Sequence, residues 1–214
     1  MTFDPFKDFE TRGYLRNFQS CKDLSIVKAS ENIGFQTNLS TALNTFKNIK
    51  FIEYKHILNT HKILFGDVYP WAGQDRLETA PNSSISKGGY EGMFANPVDI
   101  KRAAEYALRL AQEPSYLCDR PGEILGLLAH AHPFLDGNGR TIMTIYTELA
   151  HRAGISIDWA NTNKTAYLTA LTNELYRPNE RYLDIYLKPF INHKVARSEY
   201  FSVLQALLEY RTSD

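Results

Sequence analysis

The sequence predicts a mostly α-helical bundle that carries one small β-hairpin flap. Helical hydrophobic periodicity runs through most of the chain after residue 30, and Pro and Gly residues stand where the periodic segments begin and end. One irregular stretch, rich in Gly, Pro, Asn and Ser, interrupts that pattern. With 214 residues, the chain fits one domain with additions better than two full domains.

The periodic segments predict seven helices. In the first, Ile57, Leu58 and Leu64 share one side, and Asn96-Pro97 form a cap and first turn for the second. Gly154 is a suitable stop for the fourth. The predicted ranges are 53–65, 96–112, 121–131, 141–153, 163–176, 179–192 and 194–211.

The irregular stretch covers residues 73–94. It contains Arg76-Leu77-Glu78-Thr79, the polar turn 81–84 and the pair Gly88-Gly89, which together predict a short hairpin or flap on the helical body. Long irregular segments in compact domains are often functional, so this flap is a candidate for substrate contact.

Composition excludes several classes of protein. Lys+Arg and Asp+Glu both number 24, and this balance argues against a nucleic-acid or anionic-membrane binder. No apolar run approaches the roughly 18 residues of a membrane-spanning helix, and the N-terminus lacks a signal-peptide core. Cys21 and Cys118 lack the spacing of a zinc site. We expect a cytoplasmic protein, or an effector exported without a cleaved signal.

The run from His130 to Arg140 carries the chemistry, because it leads into a predicted helix. The N-terminus of a helix offers free N–H groups and a positive dipole end, which favour phosphate. Gly137 and Gly139 permit a close approach of phosphate oxygens, and Arg140 offers a phosphate-binding fork.

Three further side chains complete this candidate site. Asn138 adds donors, Asp136 is a hard oxygen ligand for Mg²⁺, and His132 can move a proton near neutral pH. The combination predicts attack of an acceptor group on a magnesium-bound phosphate. The pair His130 and His132 alone is weak support for a zinc hydrolase, since no third ligand has telling spacing.

Residues 132–140 resemble the motif of Fic-domain proteins, His-Pro-Phe-x-Asp/Glu-Gly-Asn-Gly-Arg, and match it at every fixed position. The segment 64–73 is similar to the family's helix end and Tyr-Pro-Trp-Ala-Gly turn, and 85–89, with Phe94-Ala95 following, is similar to its flap. On this resemblance we divide the chain into an N-terminal extension (1–35), a Fic domain (36–192) and a C-terminal helix (193–214).

The resemblance implies a Fic-type helical fold and transfer of a nucleotide moiety, most often AMP from ATP, to a hydroxyl of a target protein. His132 would deprotonate the acceptor Ser, Thr or Tyr, and Asp136 would hold Mg²⁺. The phosphate-binding residues would be Gly137, Asn138, Gly139 and Arg140. The flap that aligns the target segment would consist of Ile85, Ser86, Lys87, Gly88 and Gly89. Tyr167 and Asn173 would contact the nucleobase, or form an ordinary helix face.

One departure from the family concerns the donor. Many relatives have a second Arg three residues after the first, which helps to hold the γ-phosphate, whereas this chain has Met143. Lys87 or Arg76 would be substitute cations. Alternatively, the donor delivers UMP, or phosphocholine from a diphosphate carrier, or the domain binds a nucleotide or partner without catalysis.

A second departure concerns regulation. Many relatives carry an inhibitory helix with the pattern Ser/Thr-x-x-x-Glu-Gly/Asn. In this chain Glu31-Asn32 follows Val27, and Glu91-Gly92 follows Lys87, so neither matches. We therefore expect no standard intramolecular inhibitory helix, and we expect control by a separate, antitoxin-like protein.

Overall fold

The structure is a computed structural model that describes residues 3–85, 92–193, 196 and 199. It confirms the mostly α-helical fold. Within the described residues the helices are α1 (Phe9–Arg12), α2 (Leu24–Asn44), α3 (Tyr54–Phe65), α4 (Arg76–Thr79), α5 (Ile100–Ala111), α6 (Pro114–Asp119), α7 (Pro121–Ala131), α8 (Asn138–Arg152), α9 (Lys164–Tyr176) and α10 (Tyr182–Leu187). None of these helices is long and apolar enough to cross a membrane.

Helix α7 forms the centre of the bundle. It packs against α5, α8, α9 and α10, and its Ile124 and Leu128 are buried. Gly122 allows the closest approach, because a Cβ there would lie 2.1 Å from the backbone nitrogen of Asp184. The alternation of small and large apolar residues in α7 therefore fixes how closely its neighbours pack.

Helix α2 packs against α3 and α8. Asp23 caps its N-terminus by accepting a hydrogen bond from the Ser25 N–H, and its inner face buries Val27, Phe35 and Leu39. The helix runs without interruption across the expected boundary between residues 35 and 36. The division into three parts stays a prediction, but α2 supplies core residues from both sides of that boundary.

Helix α8 begins at Asn138, three residues earlier than the periodicity predicts. Gly137 is its N-cap and has a left-handed backbone (φ 74°) that favours glycine. A Cβ at this position would lie 2.6 Å from the Phe65 ring, so the entry to α8 requires glycine for space as well as conformation.

Two sequence predictions need correction. Residues 76–79, expected in the hairpin, form the single helical turn α4, which Asp75 caps through the N–H groups of Leu77 and Glu78. The predicted helix 179–192 ends at Leu187 and continues as a 3₁₀ turn (Lys188–Phe190) and a strand. Proline at position 189 does not continue a helix, which is consistent with this break.

The strand after that break belongs to a two-stranded sheet. Strand β1 (Ile155–Ile157) pairs antiparallel with β2 (Ile191–His193), with Ser156 opposite Asn192. The predicted flap lies elsewhere, and residues 86–91 are outside the described residues, as are nearly all of those in the predicted helix 194–211.

Candidate active site at the start of helix α8

The loop between α7 and α8, residues 132–137, brings the predicted base to one end of the site. His132 follows the last residue of α7 and has a left-handed backbone (φ 41°, ψ 60°). Its ring is half-buried and lies against the Phe94 ring, with 4.0 Å between the centroids. The imidazole thus has one face covered by a residue that follows the flap.

Asn138 closes this loop with its side chain. Its amide oxygen accepts a hydrogen bond from the Phe134 N–H (2.8 Å), and its amide nitrogen donates to the Phe134 carbonyl (2.7 Å). The side chain is 5% exposed. One N–H of this amide is thus engaged within the loop, and the role of Asn138 in phosphate binding stays a prediction.

His61 of α3 is a loop anchor that the sequence analysis did not assign to the site. It is fully buried, and burial lowers its pKa to about 3, so the ring is neutral. Its Nδ1 accepts from the Gly73 N–H (2.9 Å), and Nε2 donates to the Asp136 carbonyl (3.1 Å). The ring also stacks on Phe134. The sequence signal for this anchoring role is a histidine on the apolar stripe of α3.

Asp136 lies one residue before the N-cap of α8. Its Oδ1 accepts from the Gly137 N–H (2.7 Å), and its Oδ2 pairs with the ammonium of Lys28 from α2. Burial raises the pKa of Asp136, but Lys28, the Gly137 N–H and Arg140 outweigh it and lower the pKa below its ordinary value. The carboxylate is ionised, and a cation already stands beside it.

The Arg140 side chain contacts α2. Its Nη2 donates to Glu31 Oε2 (2.6 Å), its Nη1 donates to Asn32 Oδ1 (3.1 Å), and the guanidinium lies over the Phe65 ring. Glu31 is fully buried and also accepts from the Tyr69 hydroxyl. Glu31 thus contacts the first motif Arg rather than position 143, and the absence of a standard inhibitory helix stays a prediction.

Met143 and the predicted nucleobase residues lie further along the bundle. Met143 is buried, and its sulfur accepts from the Tyr167 hydroxyl (3.7 Å). The Tyr167 ring also packs against the rings of Trp159 and Tyr186. Its contact with the nucleobase stays a prediction. Asn173 is half-buried on α9, where its carbonyl accepts from the Arg177 N–H.

The predicted flap is described only at its first residue. Ile85 is half-buried and irregular, and Ser86, Lys87, Gly88 and Gly89 lie outside the described residues. The sequence suggested Arg76 as a substitute phosphate cation. It is fully buried and donates to main-chain carbonyls, so it is not exposed to a phosphate. Within the described part of the chain, no group of three or more metal-ligating side chains occurs around Asp136 or elsewhere.

Comparison with known proteins identifies the class. The sequence matches the family model of the Fic/DOC family over residues 51–150. It is 30% identical over 166 residues to the probable protein adenylyltransferase y4lH of Sinorhizobium fredii, covering 73% of this chain and 81% of that protein. The chain belongs to the Fic/DOC family.

A second curated relative is much longer. The chain is 31% identical over 175 residues to the protein adenylyltransferase VbhT of Bartonella schoenbuchensis, an alignment that covers 81% of this chain. The chain spans only 36% of the length of that relative.

Solved structures support the fold. The Fic domain of a VirB-translocated Bep effector protein from Bartonella quintana, with bound ADP, superposes with a TM-score of 0.69 at 18% identity, covering 92% of this chain and 97% of that one. BepC from Bartonella tribocorum, with bound AMPPNP, gives a TM-score of 0.66 at 20% identity, covering 84% and 92%.

Proposed function

We propose that this chain transfers AMP from ATP to a hydroxyl side chain of a target protein. The observation that carries the proposal is the arrangement of the loop between α7 and α8, which holds His132 and the free N-terminus of α8 on one rigid segment. Gly137 gives α8 no side-chain cap, so its first N–H groups are available to an anion. Two relatives carry the name protein adenylyltransferase, which agrees with this chemistry.

In this mechanism His132 takes the proton of the acceptor Ser, Thr or Tyr as the hydroxyl oxygen attacks the α-phosphorus. The new bond joins that oxygen to phosphorus, the bond to the β-phosphate oxygen breaks, and pyrophosphate leaves. The N–H groups at Gly139 and Arg140 would stabilise the charge on the phosphate oxygens. The protein therefore supplies positioning, charge neutralisation and one base.

Asp136 is the residue that would hold Mg²⁺. An ionised carboxylate beside a phosphate-binding helix start suits this ion, which in nucleotide sites uses one or two carboxylates together with phosphate oxygens. Lys28 pairs with that carboxylate, so Mg²⁺ would compete with the ammonium for it. When bound, Mg²⁺ would neutralise charge on the donor phosphates.

Helix α2 opposes nucleotide binding. Glu31 and Asn32 occupy the guanidinium of Arg140, so this side chain reaches a phosphate only if those contacts open. Control of this opening by a separate, antitoxin-like protein stays a prediction, as does export as an effector.

A mass-spectrometric survey of lysate proteins tests the proposed function. The enzyme is incubated with lysate, Mg²⁺ and, separately, ATP, UTP, CTP and a phosphocholine diphosphate donor. We expect modification by AMP on Ser, Thr or Tyr, abolished by His132→Ala. Selective transfer from another donor would replace ATP in the proposal, and binding of ATP without any transfer would indicate a non-catalytic domain.

One observation favours a donor other than ATP, such as a diphosphate carrier of phosphocholine. Position 143 is a buried methionine, so this turn of α8 offers an apolar thioether where many relatives have a γ-phosphate ligand. A hydrogen bond to a charged group contributes about 1.5–3 kcal/mol, and its loss matters most for a triphosphate. The donor panel separates the two cases directly.

A further inference from the structure

Arg76 is a buried cation beside the predicted base. It begins α4 and its side chain is 0% exposed. Its Nε donates to the His132 carbonyl (2.8 Å), its Nη2 donates to the Ala95 carbonyl (2.6 Å), and its backbone N–H donates to the Pro133 carbonyl (2.7 Å). One residue therefore joins α4, the loop before α8 and the segment that follows the flap.

Among the described residues the guanidinium makes no salt bridge, and the charge of the adjacent Asp75 raises its pKa without outweighing burial. The neighbouring Asp75 accepts from the Tyr54 hydroxyl and from the N–H groups of Leu77 and Glu78. Arg76 Nη1 has no hydrogen-bond partner within the described part of the chain. Burial lowers the pKa of Arg76, which reflects the free-energy cost of an enclosed charge. Because an apolar side chain of similar length would avoid this cost, packing alone does not explain an arginine here.

Arg76 binds one carbonyl in each of the two segments that carry the His132 and Phe94 rings. His132 contributes one carbonyl directly, and Ala95 follows Phe94, whose ring covers the imidazole. The Ala95 N–H also donates to the His130 carbonyl (2.8 Å). A planar guanidinium fixes two acceptors in one geometry, which a flexible ammonium does not.

We propose that Arg76 is a positioning residue that holds the rings of His132 and Phe94 in contact and so sets the direction of the imidazole. This inference rests on the proposed role of His132 as base. The left-handed backbone of His132 is uncommon for a non-glycine residue, and the Arg76 hydrogen bond to its carbonyl stabilises that conformation. Arg76 acts through His132 and does not touch the nucleotide.

Arg152 provides a matched control. It also uses its guanidinium to bind main-chain carbonyls, those of Phe46, Ile49 and Lys50, but it does so at the far end of α8. Arg76→Met and Arg152→Met both remove hydrogen bonds to main-chain carbonyls, and only the first removes one from the predicted base. Arg152→Met also removes a salt bridge to buried Glu148, so it is the more severe structural control.

The main test is an NMR pH titration of the His132 imidazole, assigned by comparison with His132→Ala. Arg76→Met is expected to change the ring resonances and the titration midpoint of His132, Arg76→Lys is expected to restore them in part, and Arg152→Met is expected to leave them unchanged. Unchanged His132 resonances in folded Arg76→Met would overturn the proposal. If Arg76→Met does not fold, Arg76→Lys decides on the same criterion.

A kinetic measurement completes the test. Label transfer to a modified protein is followed at several ATP concentrations. Arg76→Met is expected to lower the maximal rate by up to about 10²-fold, the effect of a misplaced catalytic group, with the apparent KM for ATP nearly unchanged. A raised KM with an unchanged maximal rate would contradict positioning. Since the NMR experiment needs no transfer, failure of the proposed function and failure of this inference are distinguishable.

Discussion

The two ends of the loop that enters α8 are held by different kinds of interaction. At the base end, main-chain groups of His132 and Phe134 bind the Arg76 guanidinium and the Asn138 amide, and the two rings contact Phe94 and His61. At the phosphate end, Asp136 and Arg140 are held by charged side chains of α2. We therefore expect the base end to keep its contacts when a ligand binds, and the charged contacts of Asp136 and Arg140 to be exchanged for ligand contacts.

The charges on α2 have the signs that a metal–nucleotide complex would bring. Lys28 places a positive charge on Asp136, and Glu31 places a negative charge on Arg140. Burial would lower the pKa of Lys28, but the two carboxylates raise it, so this residue is charged. We therefore expect substitutions on α2 to change ligand binding, and substitutions at the base end to change stability or rate.

The largest binding effect is expected for Glu31→Ala. Removing the carboxylate frees Arg140 for phosphate, and a hydrogen bond to a charged group contributes about 1.5–3 kcal/mol, so affinity for an ATP analogue with Mg²⁺ should rise about tenfold or more. Isothermal calorimetry measures this change.

Glu148→Ala is the matched control, because Glu148 is equally buried and pairs with Arg152 away from the loop. We expect it to lower stability without raising nucleotide affinity. Equal affinities for Glu31→Ala and the unsubstituted protein would mean that Arg140 does not bind the phosphates.

At the base end, Asn138→Ala should reduce the free energy of unfolding by about 2 kcal/mol, since it leaves the buried N–H and carbonyl of Phe134 without partners. Urea unfolding checks this value. Asn161→Ala, which removes an exposed bond to Asp158, should change stability by less than about 0.5 kcal/mol. Equal effects of the two substitutions would show that the amide does not close the loop.

A smaller effect is expected for Lys28→Met. Its side chain is 38% exposed, so the pair with Asp136 is partly screened and contributes no more than about 1 kcal/mol. Divalent-ion affinity in the presence of an ATP analogue, measured with Mn²⁺ by electron paramagnetic resonance, should rise about three- to fivefold. Asp136→Asn should weaken the same binding. A weaker Mn²⁺ affinity in Lys28→Met would contradict competition between the ammonium and the metal.

The smallest expected effect is on pH dependence. Because the folded-state pKa of Asp136 lies below its unfolded value, the carboxylate stabilises the fold above that unfolded value, about 3.9, and this contribution is lost as the pH falls through the lower, folded pKa. Urea unfolding across the acid range should show a shallower decline for Asp136→Asn than for the unsubstituted protein. Identical slopes would remove the pairing with Lys28 from the account.

Local patterns explain what the sequence could predict. The ranges of α3 and α7 follow from apolar periodicity and from Pro121, and the motif residues lie together because they are neighbours in the chain. The start of α8 was missed because Gly137 takes a cap conformation that hydrophobic periodicity does not report. Pro189 is a local signal for the break after Leu187, but strand β2 has none, because it is stabilised by pairing with β1, a segment distant in the chain.

The partners at the two ends of the loop were beyond sequence reasoning for the same physical reason. Glu31 and Arg140 are 109 positions apart, and Arg76 and His132 are 56 positions apart. Such contacts depend on how helices pack, which no local spacing encodes. In the sequence, the only signal for such a contact is a charged residue on a buried helix face. For Glu31 this signal was set aside, because Val27 stands where the inhibitory pattern requires Ser or Thr.

The most direct test of the account uses ATP labelled at either the α- or the γ-phosphate, incubated with Mg²⁺, lysate and the Glu31→Ala protein. We expect that only the α-label enters protein, and that adding His132→Ala to Glu31→Ala abolishes the transfer. Entry of the γ-label, or α-label transfer that survives without His132, would contradict it.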